Sequence, residues 1–552
     1  MTTGSLITKY GAVPTPSKIV RLITHLLIEH WEEHKKTVSN VKELNVLDPA
    51  VGDGRFLVQF LEDFSEKSKN KTWDENLFCY GLDINKTAIQ AATNNISKIM
   101  FNFPEISLKV GNALLGFVEP PSDWVSEISG NKLNDIFVTA NNIEKTEFQK
   151  IKSPFHWFRE WPAVIENGGF DIILGNPPYG IDLTHEEKTL FRLLYHAIDP
   201  EVESYLLFIE RSIQLVRESG FIGFIIPSNI ATNLHYQKIR KLILERTKIL
   251  RFVNLNRQIF PNIHVETCIL ILQRSSSQLE CKNHNIHFER LAEISYPPYN
   301  FLDEQIITQK QVSMNPYQMF LPTPNTETSG ILNNIQKDSV PLSELAYISR
   351  GIELGFTHPL TSDRKTNPDF VPLIAGRSIR RFRIHNKIRY IKFDHENKSI
   401  FKDYNHYIKS KIMVRRIGHK LIAAFDKRKH FCVCDVYIIR LKSFQSESEY
   451  LYLEALLNSA LVSFYFKKHF TSLKNIFPKI PIKYLKEIPV KLPSNNEKIT
   501  YIVNELHGLP WDIQGAKSHH LNLLNDLDQE IFEIYGMTRQ EQSLITRTLN
   551  EH

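Results

Sequence analysis

Phe170-Asp171-Ile172-Ile173-Leu174-Gly175-Asn176-Pro177-Pro178-Tyr179 is the stretch on which the reading of this chain turns. The apolar run from Phe170 to Leu174 reads as a buried strand that stops at Gly175. Two consecutive prolines cannot continue it, since each lacks an N–H and each fixes φ. The turn therefore holds Asn176 and Tyr179 stiffly at the carboxyl edge of a sheet, where ligands sit in open α/β folds. An amide oxygen, the rigid Pro177 carbonyl and an aromatic face together make a receptor for a planar amino group such as adenine N6. The bland alternative is a proline-rich loop, and the neighbourhood decides against it.

Upstream, strands and helices alternate in the manner of a parallel sheet wound with crossover helices. Thr15-Pro16 is a helix start, with Ile19, Val20, Ile23, Leu26 and Leu27 as the apolar face. A strand from Leu44 to Leu47, a helix from Arg55 to Phe64, a strand from Leu77 to Leu82 and a helix from Lys86 to Ile99 follow, then a strand ending near Val110. Residues 117–169 break this rhythm and read as an insertion. Beyond Tyr179 the pattern predicts a helix from Tyr205 to Val216, a strand from Phe221 to Ile226 and a helix from Tyr236 to Leu244. Two more strands, Arg251 to Asn256 and Val265 to Leu272, suggest that the mixed sheet ends in an antiparallel hairpin. The expected organisation is a Rossmann-like α/β catalytic domain over 1–275 and a polar, proline-bearing linker over 276–330. A smaller α+β module over 331–492 and a helical tail over 493–552, with Leu521, Leu524, Leu527 and Ile531 on one face, complete it.

The cofactor side rests on Asp48-Pro49-Ala50-Val51-Gly52-Asp53-Gly54-Arg55-Phe56, a glycine-bearing turn between strand and helix. Glycine there lets backbone approach a ligand beside a helix N-terminus. Asp83, with Ile84 after it, ends the next strand where a ribose is gripped in doubly wound folds. Asn112, followed by Ala113, ends the third and is able to read an adenine edge. A nicotinamide cofactor is the first rival. Against it, the full Gly-x-Gly-x-x-Gly spacing is missing, and Asp48 and Asp53 flank the turn, a poor place for a pyrophosphate. Acidic groups suit an amine-bearing or cationic ligand such as the methionine part of S-adenosyl-L-methionine.

Asp48-Pro-Ala-x-Gly-x-Gly54, Asp83, Asn112 and Asn176-Pro-Pro-Tyr179, in this order, resemble the gamma-class (TaqI-type) DNA adenine-N6 methyltransferases of bacterial type II restriction–modification systems. The likeness extends to Tyr10-Gly-Ala-Val-Pro-Thr15-Pro16, where that class carries an extra cofactor motif, and to Pro154-Phe-His-Trp157. It is strong over about residues 8–275 and looser beyond; Asp48 stands where some relatives have Glu.

The resemblance implies a class I methyltransferase fold and S-adenosyl-L-methionine as cofactor. Thr15, Pro16, Asp48, Pro49, Ala50, Gly52, Gly54, Phe56, Asp83, Ile84, Asn112, Ala113 and Asn176 would form its site. Asn176 and the Pro177 carbonyl would each accept one N6 hydrogen of an adenine, drawing the nitrogen toward tetrahedral geometry. The amine is unreachable inside a duplex, so the base is flipped out. Tyr179 would stack on it, and Phe260 matches the family's second aromatic. Pro227 and Ser228 are further candidates for the pocket wall.

The net charge of +6 hides an asymmetry. Residues 371–430 hold 17 Lys plus Arg against 4 Asp plus Glu, a balance of 17 − 4 = +13. The rest carries 50 basic and 57 acidic residues, or −7, so one segment holds all the excess. The asymmetry suggests a polyanion partner, a nucleic acid, and the resemblance implies that it is double-stranded DNA. Arg377, Arg380, Arg381 and Arg383 in one apolar–basic stretch, and Lys411, Arg415 and Arg416 in another, are its candidate contacts. The plainer reading is an edge strand kept soluble by charge. Tyr452 to Tyr465, Ile480-Pro481 and Ile488-Pro489 also resemble the target-recognition domains of these enzymes.

Five cysteines without paired spacing make a metal or disulfide site unlooked for, including Cys432-x-Cys434 in a strand-like run. No membrane span and no signal segment are read, which points to the cytoplasm. The resulting expectation is a monomer that protects a short DNA sequence from a separate cognate endonuclease. Rival readings are methylation of RNA or of a protein glutamine, a fused nuclease–methyltransferase, for which the early cofactor motif leaves no N-terminal room, and a DNA-binding specificity module with an inactive Rossmann-like domain.

Overall fold

A computed structural model describes residues 14–550 apart from 38–42, 69–75, 100–104, 123–129, 142–153, 199–200, 256–264, 292–298, 300, 323–325, 366, 386–387, 395–396, 398–399, 402–403, 419, 429, 444–445, 470–479 and 510–515. The chain divides into two units, Met1–Thr323 and Pro324–His552.

The first unit is built on β1 (Glu43–Asp48), β2 (Asn76–Asp83), β3 (Ile106–Val110), β4 (Phe170–Gly175), β5 (Val216–Pro227), β6 (Thr247–Leu255), β7 (Thr267–Arg274), β8 (Asn285–Leu291) and β9 (Phe301–Thr308). They form one sheet in the order β3-β2-β1-β4-β5-β7-β6-β8-β9. The first five are parallel, so their carboxyl ends share one edge. β7 runs antiparallel to both β5 and β6. This is the Rossmann-like mixed sheet with its antiparallel hairpin. β4 lies next to the middle of the sheet and every residue in it is buried. A strand covered on both faces reads as a continuous apolar run. Its one charge, Asp171, accepts the Asn45 N–H at 2.6 Å and pairs with Arg217.

The helix Ser17–Lys35 starts behind Pro16 and buries Ile19, Ile23, Leu27 and Trp31 in the core shared with β1, β4 and β5. Each such aliphatic side chain, fully withdrawn from water, contributes about 2 kcal/mol. On the other side the insertion is tied down by aromatic packing. Phe155, Trp157 and Trp161 lie with ring centres 5.0–5.5 Å apart, and Trp157 and Trp161 reach Phe170 of β4 at 6.2 and 5.9 Å. His156 accepts the Phe117 N–H at Nδ1 (3.2 Å) and meets Asn134 Oδ1 at Nε2 (3.0 Å). Burial pushes its pKa down to about 4, so it is neutral with the proton on Nε2.

The polar segment expected as a linker over 276–330 contributes two strands to the sheet. β8 pairs parallel with β6, and β9 pairs antiparallel with β8, carrying the sheet two strands beyond the hairpin. Its polarity has a physical cause. β9 is the edge strand, and Glu304, Gln305 and Ile306 on it are exposed. Edge strands are kept polar against unwanted pairing.

In the second unit, one four-stranded sheet joins Ala346–Arg350, Val436–Leu441, Lys411–Arg415 and Ala423–Asp426 in that order. Another joins Thr361–Ser362, Arg389–Lys392, Phe370–Ile374 and Phe431–Cys432. The strand expected across 431–439 is two strands, because the chain turns at Val433-Cys434-Asp435. The helical tail belongs to this unit. Its helix Glu497–Gly508 packs on Glu447–Asn458, where His507 Nε2 meets the buried Glu454 Oε2 at 2.9 Å. Leu524, Leu527 and Ile531 are buried as their spacing predicts, whereas Leu521 is exposed. Among the described residues no helix is long and apolar enough to cross a membrane.

Candidate active site

Parallel β3, β2, β1, β4 and β5 set the ends of five neighbouring strands along one edge. That edge carries Asn112, Asp83, Asp48, Asn176 and Ser228 in spatial order, each at or just after the end of its strand.

Asp83 organises the glycine turn. Its Oδ2 accepts the Gly52 N–H at 3.0 Å and its Oδ1 accepts the Asn85 N–H at 2.8 Å. These bonds fix the carboxylate at the end of β2, beside the glycine turn. Gly54 has φ +81°, and a Cβ there would lie 3.0 Å from Ala92 Cβ and 3.1 Å from its Cα. Only glycine fits both the left-handed backbone and the helix packed behind it. Pro49 and Phe56 are buried, while Ala50 and Ile84 are half-buried beside the turn.

Asp48 is 1 % exposed and accepts the Ala50 N–H at 3.0 Å. Burial pushes its pKa up to about 8; the Ala50 bond opposes this, and the charges of Asp83 and Asp53 add to it. Asp53 behaves otherwise. Burial raises its pKa too, but the Arg55 guanidinium outweighs that and holds it below the usual range. Arg55 grips it through Nε at 2.9 Å and Nη2 at 2.5 Å. The picture of two open anions flanking the turn therefore needs correction: one holds a proton near neutrality and the other is neutralised by its neighbour.

Arg55 also donates from Nη1 to the Thr15 carbonyl at 2.6 Å, tethering Thr15-Pro16 to the turn. The Thr15 hydroxyl is buried and has no hydrogen-bond partner among the described residues. Asn112 accepts the Leu114 N–H on Oδ1 at 3.0 Å, which fixes its amide at the end of β3; Ala113 beside it is buried.

Gly175 brings the diproline corner into this group. Its φ is +150°, and a Cβ on it would stand 2.8 Å from Asp48 Oδ1. Asn176 follows half-buried, Pro177 is buried, and the Pro178 carbonyl accepts the Ser204 hydroxyl at 2.5 Å. Tyr179 is half-buried with its ring against the core, and burial raises its hydroxyl pKa above the ordinary value. Ser228 donates from its N–H to the Glu266 carbonyl at 2.9 Å. Phe260 lies outside the described residues.

Supports that the motifs did not announce surround these residues. Arg211, 6 % exposed, donates to the Tyr195 hydroxyl at 3.0 Å and to the Leu114 carbonyl at 3.2 Å, and Tyr195 donates to the same carbonyl at 2.7 Å. Tyr205 donates to Asn229 Oδ1 at 2.8 Å beyond β5. The signal was present in part: Glu210-Arg211 sits inside an otherwise apolar helix, and buried charges must be hydrogen-bonded.

In the second unit the basic candidates separate. Arg377 and Arg380 are exposed, and Arg377 lies over the Phe356 ring at 4.8 Å. Arg415 is half-buried at the end of its strand. Lys411 is a correction: it is fully buried and donates to Asp426 Oδ2 at 2.6 Å, with His430 Nδ1 at 2.9 Å from Asp426 Oδ1. The strand is buried from Lys411 to Val414, so this ammonium is closed to a phosphate. Arg381, Arg383 and Arg416 are half-buried and donate inward to the Asn458 (2.7 Å), Leu509 (3.0 Å) and Cys434 (3.3 Å) carbonyls. They too bind the unit's own main chain, against the expectation of DNA contact.

Comparison with known proteins agrees with this layout. The N-6 DNA methylase family model matches residues 5–120, the Eco57I restriction-modification methylase model residues 78–260, and the TaqI-like C-terminal specificity domain model residues 371–490. Stretch by stretch, the chain is thus similar to N6-adenine DNA methylases and specificity domains of restriction–modification systems. RM.MjaORFECS2P of Methanocaldococcus jannaschii is 28% identical over 419 residues, covering 73% of this chain and 34% of that protein. The type II restriction enzyme and methyltransferase RM.Eco57I of Escherichia coli is 26% identical over 298 residues, 48% of this chain and 28% of its own length. The chain thus matches about a third of the length of these relatives. The type IIL restriction-modification enzyme MmeI, solved with DNA, shares the fold with a TM-score of 0.58 and 13% identity, over 100% of this chain and 80% of that one.

Proposed function

We propose that this chain is a site-specific DNA adenine-N6 methyltransferase that modifies a flipped-out adenine within a short duplex sequence. The observation that carries the reading is the juxtaposition at one sheet edge: Asn176-Pro177-Pro178-Tyr179 at the end of β4, locked by Ser204, abuts Asp48 of β1 through Gly175.

The residues present fit S-adenosyl-L-methionine. Asp83 ends β2 beside the glycine turn, where its carboxylate would meet ribose hydroxyls, and the buried Thr15 hydroxyl has no hydrogen-bond partner among the described residues. When bound, that cofactor supplies a methyl group on a sulfonium, an electrophile that needs no acid catalyst. The chain's own work is on the nucleophile. An adenine amine is weakly nucleophilic because its lone pair is delocalised into the ring. Asn176 Oδ1 and the Pro177 carbonyl accept its two hydrogens, localise the pair and aim it. A neutral amide suits this position, and Asp48, protonated near neutrality, adds little negative charge beside it. Tyr179 offers its ring to the extruded base; such stacking contributes about 1–3 kcal/mol. Arg377, Arg380 and Arg415 supply positive charge toward a duplex, and a cognate restriction endonuclease that cuts the unmodified site is the biological counterpart.

Sequencing plasmid DNA from a methylation-deficient host that expresses the chain tests this. One short motif should carry N6-methyladenine. Transfer of labelled methyl to RNA or protein, with DNA left unlabelled, overturns the assignment.

A further inference from the structure

Far along the sheet from β4, strands β6, β8 and β9 gather ionisable side chains on one face. Arg251 of β6 is in register with His287 of β8, and Glu289 of β8 stands opposite Glu304 of β9. His287 and Glu289 are two residues apart, so both project to the same face. Two carboxylates directly opposite one another repel, and a sheet carries such a pair at a cost unless something lies between them.

Glu289 is 5 % exposed. Its Oε1 accepts Arg251 Nη1 at 2.6 Å, while its Oε2 is buried and has no hydrogen-bond partner among the described residues. His287 Nδ1 lies 2.7 Å from Glu304 Oε1. One donor atom each from His287, Glu289 and Glu304 falls within 4.8 Å of the others.

We infer that His287, Glu289 and Glu304 form a binding site for a transition-series divalent cation of the Zn²⁺ type, with water completing the coordination. One imidazole nitrogen and two carboxylate oxygens are a donor set that Zn²⁺ accepts, whereas Ca²⁺ and Mg²⁺ favour six or more oxygens. Metal–donor bonds of about 2.0–2.2 Å in a tetrahedron place donors about 3.4 Å apart. The His287–Glu304 contact opens slightly and the third donor closes by about an ångström to meet this. Glu304 can make that adjustment, being half exposed on the edge strand. Arg251 holds Oε1 of Glu289, which leaves Oε2 for the cation.

The test uses the tag-free full chain, stripped with a chelator and titrated with Co²⁺, followed by equilibrium dialysis and visible d–d absorption. One Co²⁺ per chain should bind and be displaced by Zn²⁺. His287→Ala, Glu289→Gln and Glu304→Gln should each weaken binding at least tenfold. Glu304→Gln changes an exposed side chain, so it keeps the test valid if Glu289→Gln misfolds. Zn²⁺ should raise the thermal midpoint of the parent chain and not that of Glu304→Gln. A parent chain that binds no more Co²⁺ than Glu304→Gln, or a spectrum unchanged in the variants, overturns the site and leaves an ordinary ion-pair network.

Discussion

At the carboxyl edge of the large sheet, Asp83, Asn112 and Asn176 stay half-buried, whereas in the second unit Lys411 is fully buried and Arg381, Arg383 and Arg416 turn inward. The difference lies in what surrounds each position, the open edge of a parallel sheet or a packed interior. Where parallel strands stop, the backbone has left the ladder and polar side chains keep room for a ligand. In the middle of a small sheet between packed layers, a cation must find an internal acceptor or shed its proton. Polar side chains therefore stay partly open at the sheet edge in one unit, while cations are taken up by the protein's own acceptors in the other.

The largest effect that sharpens this contrast is at the diproline corner. Asn176→Ala should lower methyl transfer by about 10³-fold or more while donor binding persists, measured with tritiated S-adenosyl-L-methionine on duplex DNA. Retained activity would remove the corner from the chemistry. Next is Lys411→Met, which leaves Asp426 with His430 and the Arg428 N–H but without its buried cation. Breaking a buried pair costs about 3–5 kcal/mol, to be read from urea unfolding, with DNA affinity of the folded protein unchanged. Weakened DNA binding at full stability would mean that Lys411 faces outward after all.

Asp48→Asn tests the proton. The folded pKa of about 8 exceeds the ordinary 3.8, so the folded chain keeps a proton that the unfolded chain releases. Its contribution is fully present below the unfolded value and is lost as pH rises through the folded one. The thermal midpoint of the parent chain should accordingly fall between about pH 4 and 8, and the Asn variant should flatten that decline. The smallest effect is expected at Arg380, which is exposed. Arg380→Ala should leave the thermal midpoint alone and reduce the log–log salt slope of DNA binding by about 1.

Residues on regular, deeply packed elements were readable from order and spacing alone. Val46 to Asp83 has the rhythm of parallel winding, and the Asn176 turn declares itself because two prolines permit little else. Side-chain pairing was not readable. Nothing local marks Arg55 as the partner that removes Asp53 from the ligand's view, since the contact depends on the fold of the glycine turn. β8 and β9 escaped because an edge strand is polar by design and imitates a linker. Lys411 escaped because Lys-Ile-Met-Val-Arg reads as a strand with a basic residue at each end of one face until the neighbouring strands and the Asp426 carboxylate are in place.

The insertion joins the sheet in a way that bears on engineering. Asn112 bridges to Pro154, the Phe155 N–H donates to the Leu115 carbonyl, and the Trp157 N–H donates to Phe117. The excursion thus departs from and returns to the same few backbone atoms, like a drawer on fixed runners. Its contents can be lengthened, trimmed or exchanged at modest entropic cost, and the neighbouring reaction centre would keep its coordinates while gaining a new wall.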